Sequence, residues 1–402
     1  MDSQATRSEA RRNIFVLSTA QALGAAGPPI VISLGGLVGA QLSSDPALVT
    51  LPVSLFNLGL AAGTLPAAMI MRQFGRRSGY LVGASCGLMA GLTAAFGIWT
   101  ASFLLFCLGT FIAGFYAAYV QSYRFAATDS VSGDMRARAV SWVMVGGLFA
   151  AIIGPQLVIW TRDLVPGTPY VGSFLSQAAL AILAVPVLLM LRSGKAGAAG
   201  GADAGGGRPL MEIIMSPGYL LAVATGVVSY GLMTFVMTAS PIAMVGHGHS
   251  IDHAAMGIQW HILAMFGPSF VTGSLIARFG KERIAAIGLL LIGSSGAVAL
   301  SGLEIGHFWI GLILLGVGWN FGFIAATAMV TECHTPAERT RAQGANDFII
   351  FGTVAGASFF AGSLLHSSGW EMINWAIFPV ITVMLAAILW QSTRKKKVQP
   401  GF

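Results

Sequence analysis

The side chains best suited to binding chemistry in this sequence are aromatic rings and amides inside long apolar runs. Trp319 and Asn320 lie near the middle of one run, where an unpaired amide is costly and usually faces other helices. Either Trp319 stacks on a planar ligand that Asn320 hydrogen-bonds, or Trp319 fills the core and Asn320 bonds a neighbouring helix. Similar residues in other runs complete the predicted binding set: Gln21, Tyr116, Tyr119, Tyr230, Thr234, Gln259 and Trp260.

Two titratable residues inside apolar runs are candidates for carrying a coupled proton. His261 is a functional candidate because titratable groups are rare in membrane spans, and the alternative is a neutral imidazole bonded to a helix backbone. Asp347 is either a proton site or an acid stabilised by the positive N-terminus of its helix. Its place near the end of a run favours the second interpretation.

Catalytic and cofactor motifs do not occur in the sequence. We find no phosphate-binding loop, metal pair or nucleophile triad, so we expect neither an enzyme nor ATP-driven transport, and no cofactor or metal. The three cysteines give no disulfide framework, and Cys333-His334 lacks a second ligand pair. The loop residues His247, His249 and His253 are expected to be solvated.

The composition predicts a membrane protein made of helices. The chain has 402 residues, of which 55% are hydrophobic and 9% charged, whereas soluble domains carry about 25% charged residues. Continuous apolar runs of span length favour helices over an alternating barrel. Twelve spans are predicted, at residues 13–39, 50–71, 79–99, 103–123, 139–161, 171–191, 218–245, 255–276, 284–303, 308–331, 345–365 and 370–390.

The positive charges lie almost entirely on one side of these predicted spans. Of the 22 Lys and Arg residues, 21 fall on one side and Arg162 falls on the other. This distribution follows the positive-inside rule and places both termini in the cytoplasm. Contact with anionic lipids accounts for the basic C-terminal tail, so the net charge of +7 does not predict nucleic-acid binding.

Two short basic turns indicate that the chain is duplicated. RQFGRR (72–77) and RFGKER (278–283) align at Gly75 and Gly280, an offset of 205 residues. Thr128-Asp129 and Thr331-Glu332, each followed by paired arginines, repeat at an offset of 203. A Gly- and Ala-rich stretch separates the copies, so we predict two six-helix bundles, 1–192 and 218–402, joined by a cytoplasmic linker, 193–217.

The basic turns either set topology alone or lock and release a cytoplasmic gate. Glycine at a matched place in both turns favours the gate, because charge alone does not require it. The predicted gating residues are Arg76, Arg77, Asp129, Arg278, Lys281 and Glu332.

The duplication and the turns together resemble the major facilitator superfamily, whose signature is Gly-x-x-x-Asp-Arg-x-Gly-Arg/Lys-Arg/Lys. The second copy matches it at Gly273, Arg278, Gly280 and Lys281, but Ala277 replaces the acid. The first copy matches only from its central glycine onward. The resemblance implies secondary transport by alternating access. It also implies a cytoplasmic latch that uses other acids here: Asp129, Asp134, Glu332 or Glu338.

Three further stretches are similar to a bacterial branch of that family whose members are often labelled riboflavin transporters: VSYGLMTFVMT (228–238), GIQWHILAMF (257–266) and GVGWNFGF (316–323). The resemblance implies riboflavin uptake. No predicted span interior contains Lys or Arg, which favours a neutral or weakly charged cargo in a pocket without fixed cations.

We therefore predict a monomeric carrier in the bacterial inner membrane that binds a small-molecule substrate and is open to proton coupling. A proton-coupled exporter of drugs or metabolites is the alternative. Gly154-Pro155 is similar to the antiporter motif of exporters, but Val158 and Ile159 replace its paired glycines. A non-transporting membrane sensor is the alternative from a different class.

Overall fold

The computed structural model describes residues 2–129, 135–192, 207–335 and 337–398, and the side chain of Asp129 lies outside this description. These residues form helices without any strand. The helices before the linker are α1 (Asp2–Gly24), α2 (Gly27–Leu42), α3 (Leu51–Trp99), α4 (Phe103–Gln121), α5 (Tyr123–Asp129), α6 (Met135–Thr161) and α7 (Val171–Leu189), with a 3-10 turn at Pro46–Leu48. Those after it are α8 (Leu210–Ile214), α9 (Pro217–Gly246), α10 (Ile251–Phe266), α11 (Ser269–Phe279), α12 (Lys281–Ser301), α13 (Ile305–Thr331), α14 (Arg339–Trp375) and α15 (Ile377–Val398).

The helices agree with the predicted membrane spans. Within the described ranges, nine stretches are long and apolar enough to cross a bilayer, and the bent pair α10 and α11 makes a tenth. Two of the nine, Pro46–Trp99 and Arg341–Gln391, are 54 and 51 residues long, more than twice the length that one span needs. Each contains a glycine with non-helical dihedrals, Gly75 or Gly369, so each divides into two spans. The arrangement is consistent with twelve spans, and the all-helical membrane fold is confirmed.

Large apolar side chains cover much of the outer surface. Leu65, Leu104 and Val383 are each more than two-thirds exposed, which water would oppose and lipid tails favour. Inside, glycines allow helix backbones to approach closely. A Cβ on Gly59 of α3 would lie 2.1 Å from the carbonyl oxygen of Phe111, and a Cβ on Gly114 of α4 would lie 2.1 Å from that of Phe56. These reciprocal contacts explain why small residues are so frequent in the spans.

The two basic turns share one backbone conformation. Gly75 has φ 80° and ψ 161°, and Gly280 has φ 86° and ψ 149°. This region is accessible almost exclusively to glycine. The matched dihedrals support the duplication inferred from sequence, whereas the division into two six-helix bundles with a linker at 193–217 stays a prediction. Residues 193–206 of that linker lie outside the described ranges.

Replacing either turn glycine by alanine is expected to destabilise the protein by about 1–3 kcal/mol. A Cβ at Gly75 or Gly280 meets no atom within 4 Å, so the whole effect would come from backbone strain. Gly147→Ala is the matched control, since its Cβ also meets nothing within 4 Å but its backbone is helical. Thermal unfolding of the purified variants should show a lower Tm for Gly75→Ala and Gly280→Ala, and an equal or higher Tm for the control. Equal Tm values for all three would refute strain at these turns.

Candidate functional site

Four aromatic rings from α9, α13 and α14 form a cluster, defined as Tyr230, Trp319, Phe323 and Phe351. Trp319 and Phe323 are four residues apart on one face of α13 and stack with centroids 5.1 Å apart and planes at 14°. Tyr230 meets all three other rings edge-on, at centroid distances of 5.3, 5.1 and 6.0 Å. Phe266 of α10 packs against Trp319 from 6.2 Å. The cluster therefore gathers four rings in one place, of which Trp319 is buried and the other three are partly exposed.

The aromatic cluster lies where helices from the two ends of the chain meet. Its member Phe351 packs against an apolar group that α2, α3 and α4 supply in large part, including Ile30, Phe56 and Ala117. The other three rings belong to helices that follow the linker. A ligand beside the cluster would therefore contact both parts of the chain, as a site between two moving bodies requires.

Two buried polar atoms near the aromatic cluster have no hydrogen-bond partner in the described part of the chain. One is the indole Nε1 of Trp319, and the other is Oγ1 of Thr234, whose side chain lies one helical turn from Tyr230. A buried donor without an acceptor is costly in a folded protein. Both atoms are covered by protein in this conformation, so a ligand that bonds them must enter between the surrounding helices.

A cation and an acid lie within electrostatic range of each other near the aromatic cluster. Arg124 of α5 is within electrostatic range of both Asp347 and Tyr230. The carboxylate of Asp347 accepts a hydrogen bond from the amide of Asn346 at 3.0 Å. Arg124 follows the end of α4, so the span interiors still lack Lys and Arg, but its charge acts on the site from the cytoplasmic end. An acid of opposite charge accompanies it, so the local charge remains balanced.

Three contacts join the two parts of the chain at the helix ends opposite the basic turns. Gln156 of α6 donates to Gln259 of α10 at 3.0 Å, and Thr50 donates to the carbonyl oxygen of Phe359 at 3.4 Å. Arg162, the single cation predicted on the outer side, forms an ion pair with Asp252. This ion pair gives a physical reason for the exception to the charge distribution.

The basic turn of the second copy is held by an ion pair between Lys281 and Glu332, the C-cap residue of α13. The pairing agrees with the predicted use of Glu332 as a substitute for the missing signature acid. In the first copy, Arg76 donates to the hydroxyl of Tyr80 at 3.4 Å. Arg77 and Arg278 are exposed, and the guanidinium of Arg278 lies 5.2 Å from the ring centroid of Phe279.

The family profile described as Major Facilitator Superfamily matches residues 14–346 and 262–402 of the sequence. The chain belongs to the Major Facilitator Superfamily. It is 70% identical over 380 residues to the riboflavin transporter RfnT of Brucella anthropi, covering 94% of this chain and 96% of the relative. It is 32% identical to the uncharacterised transporter YdeG of Bacillus subtilis, covering 96% and 93% of the two chains. The crystal structure of the nucleoside transporter NupG is similar in fold, with a TM-score of 0.70, 13% identity, and coverage of 94% and 98%.

In this major facilitator protein both polar atoms of the Asn320 side-chain amide form hydrogen bonds within the protein. It is fully buried and donates to the carbonyl oxygen of Met265 at 2.6 Å and to Ser269 at 2.7 Å, while its oxygen accepts from Thr272 at 2.5 Å. These bonds link α13 to both sides of the 43° bend between α10 and α11. The hypothesis that Asn320 binds ligand is therefore corrected, because its donors and its acceptor are already used.

Other members of the predicted binding set lie away from the aromatic cluster. Tyr116 and Tyr119 of α4 pack against Gly87 and Gly83 of α3, inside the first part of the chain. Gln21 packs against α6 at Gly146, and Gln259 is engaged by Gln156. Trp260 is 39% exposed and makes none of the ring contacts found among the described residues. The structure brings together Tyr230, Thr234 and Trp319 from that set, and the tyrosines of α4 fill core.

The two proton candidates differ in their surroundings. His261 is fully buried, and its Nδ1 lies 2.7 Å from the carbonyl oxygen of Leu312, so Nδ1 carries the hydrogen. The complete burial of the ring, with no hydrogen-bond partner for Nε2 in the described chain, favours the neutral imidazole. Asp347 lies eight residues after the start of α14 at Arg339, beyond the first turn in which a helix N-terminus stabilises an acid. The helix-terminus interpretation therefore does not fit the structure, in which the Asn346 amide donates to the carboxylate at 3.0 Å and Arg124 lies within electrostatic range.

Three site residues were missed at the sequence level: Phe323, Phe351 and Arg124. Phe323 follows Trp319 by four residues and Phe351 follows Asp347 by four, so helical spacing alone pointed to both rings. Arg124 gave no such signal, because a cation at the cytoplasmic end of a span is ordinarily a topological determinant.

Proposed function

We propose that this protein imports riboflavin across the bacterial inner membrane by alternating access. The observation that carries the proposal is its 70% identity, over nearly the full length of both chains, to a protein named riboflavin transporter. Identity at this level extends through the helices that supply the aromatic cluster. Substrate, direction and membrane are parts of the same proposal.

The chemistry of the aromatic cluster fits this cargo. A flavin is a flat three-ring heteroaromatic, and such rings bind by stacking on aromatic side chains while hydrogen bonds at the ring edge fix their orientation. The Trp319 indole N–H and the Thr234 hydroxyl lack partners in the described chain and supply such bonds. The positive charge of Arg124 is accompanied by the negative charge of Asp347, so the site carries no lone cation, and this suits a neutral molecule.

We propose further that two six-helix bundles, 1–192 and 218–402, rock about this site with both termini in the cytoplasm. The contacts of Gln156, Thr50 and Arg162 join the two parts of the chain on the proposed outer side in this conformation. Import then requires these contacts to break and the cytoplasmic ends to approach. The carrier works as a monomer in contact with lipids, and Asp347 is better placed than His261 for any coupled proton.

Uptake of labelled riboflavin into cells that cannot synthesise it tests the proposal. Expression of this protein should restore growth on low riboflavin and should drive accumulation of the label. Failure of rescue combined with drug resistance would replace import by export. Purified protein that moves no riboflavin in liposomes would refute riboflavin transport.

Loss of the outer ion pair is expected to shift the protein toward an outward-open state. Arg162→Ala removes an attraction between partly exposed side chains, worth about 1 kcal/mol, so the ratio of open to closed molecules should rise about two- to fivefold. Spin labels at Leu164→Cys and His247→Cys, in a background without native cysteines, report the separation by pulsed electron resonance. Asp163→Asn is the matched control, since Asp163 pairs with its neighbour Arg162 and forms no ion pair with a second segment among the described residues. A longer-distance population that appears equally in both variants would contradict a role for Arg162–Asp252 in closure.

A further inference from the structure

The acid beside the aromatic cluster occupies a defined place relative to the rings. Asp347 and Phe351 are four residues apart on α14 and therefore share a helix face. Phe351 is in ring contact with Tyr230 at 6.0 Å. The carboxylate thus lies one helical turn from the edge of the aromatic cluster, and Asn346 holds one of its oxygens at 3.0 Å.

Arg124 brings complementary chemistry from the other part of the chain. It is within electrostatic range of Tyr230 as well as of Asp347, so its charge acts on the aromatic cluster and on the acid together. A guanidinium only donates hydrogen bonds, and an ionised carboxylate only accepts them. We name Arg124 and Asp347 the charge pair. It offers several donors and an acceptor beside a surface on which a flat molecule stacks.

The pyrimidine ring of a flavin has a matching edge, in which the N3–H donor lies between two carbonyl acceptors. We propose that the charge pair recognises this imide edge, with Asp347 accepting the N3–H hydrogen and Arg124 donating to a neighbouring carbonyl oxygen while the ring lies against the aromatic cluster. The proposal rests on riboflavin being the substrate, and it defines the substrate class as planar heteroaromatics with a free imide. The ribityl chain takes no part in this recognition.

Methylation of the ligand at N3 tests the proposal, because it removes the donor and leaves the ring system intact. Binding to the purified full-length protein in nanodiscs is measured by quenching of flavin fluorescence, with riboflavin and 3-methylriboflavin as the two probes. A site built to accept a hydrogen bond rejects an analogue without the donor, so the methylated probe should bind about 10- to 100-fold more weakly. Lumichrome, which lacks the ribityl chain but keeps the imide, should still compete.

Variants of the acid separate recognition from a structural role. Asp347→Ala should weaken riboflavin binding by about the factor that N3 methylation costs the wild-type protein. The Kd for 3-methylriboflavin should stay nearly unchanged, so the ratio of the two Kd values falls toward one. Asp347→Asn keeps an accepting oxygen and should retain more of the ratio. The exposed acid Glu371 supplies the matched control, and Glu371→Ala should preserve the full ratio.

Each remaining outcome overturns a distinct statement. Wild-type protein that binds riboflavin and its 3-methyl derivative equally would overturn recognition of the imide while leaving riboflavin transport intact. Equal weakening of both probes by Asp347→Ala would assign Asp347 a structural role and overturn the proposal. Absence of flavin binding to the wild-type protein would overturn riboflavin as the substrate, and the imide proposal with it.

Discussion

Trp319→Ala is expected to raise the Kd for riboflavin about 10- to 100-fold. Stacking of a heteroaromatic base on one aromatic side chain contributes about 1–3 kcal/mol as measured by alanine substitution. Trp319 is in ring contact with Tyr230, Phe323 and Phe266, so its removal also leaves the neighbouring rings without support. The Kd is measured by flavin fluorescence quenching, and uptake is measured as an initial rate per amount of protein in the membrane.

The sequence supplies a matched control of the same residue type. Trp260 was also predicted to bind substrate, but it is 39% exposed and lies outside the ring contacts. Trp260→Ala should therefore change the Kd less than about twofold, as expected for a position where no specific contact is lost. Trp319→Phe should fall between wild type and alanine, since it retains a stacking ring but lacks the indole N–H. A Kd for Trp319→Ala within about twofold of wild type would show that the aromatic cluster is not the binding surface.

The spans were predictable from sequence because the signals that define them are local. Apolar length and flanking charge indicated each helix, and the glycine repeat at Gly75 and Gly280 anticipated two turns with nearly the same dihedrals. Side-chain direction was harder to predict. Trp319 and Asn320 are adjacent, yet consecutive residues on a helix point about 100° apart, so one joins the rings and the other secures the α10–α11 bend. Because the two residues are adjacent in the sequence, we predicted one shared role for them, but their side chains contact different neighbours.

Contacts between distant segments gave no local signal at all. Arg124 and Asp347 lie on helices from opposite ends of the chain, and each has an ordinary explanation when read alone. The same holds for Arg162, which is anomalous by the charge rule until Asp252 is placed beside it. Pairings of this kind become visible only after the helices are assembled.

Glu338 shows how an acid in the loop between α13 and α14 serves stability. It is 1% exposed and accepts hydrogen bonds from the backbone and side chain of Arg208, at 2.8 to 3.0 Å, and from the Thr335 backbone at 2.9 Å. Arg208 also donates to the carbonyl oxygen of Cys333 at 2.9 Å. These bonds fasten Arg208, within the predicted linker, to the segment that precedes α14. They also engage one of the acids predicted to replace the missing signature carboxylate.

Glu338→Ala is therefore expected to lower the apparent Tm by about 5 °C or more at a fixed scan rate. The substitution leaves two backbone N–H groups and a guanidinium without their acceptor, which is costlier than never forming the contact. Glu332→Ala is the matched control, since that acid lies in the same loop and pairs with Lys281 while 67% exposed. Its Tm should change by no more than about 1–2 °C, because exposed ion pairs contribute little. Equal losses for the two variants would contradict a special role for the buried acid.

The stabilisation by Glu338 should also depend on pH in a defined direction. Hydrogen bonds from the Arg208 side chain, and then from the Thr335 and Arg208 backbones, hold the pKa of Glu338 well below its ordinary value of 4.5. The unfolded chain therefore binds a proton at this carboxyl at higher pH than the folded chain does. The stabilisation is fully present above about pH 4.5 and is lost as the pH falls toward the lower pKa of the folded state. The Tm difference between wild type and Glu338→Gln should thus be constant from about pH 5 to 8 and shrink in more acidic buffer, whereas a purely steric role for Glu338 predicts a difference independent of pH.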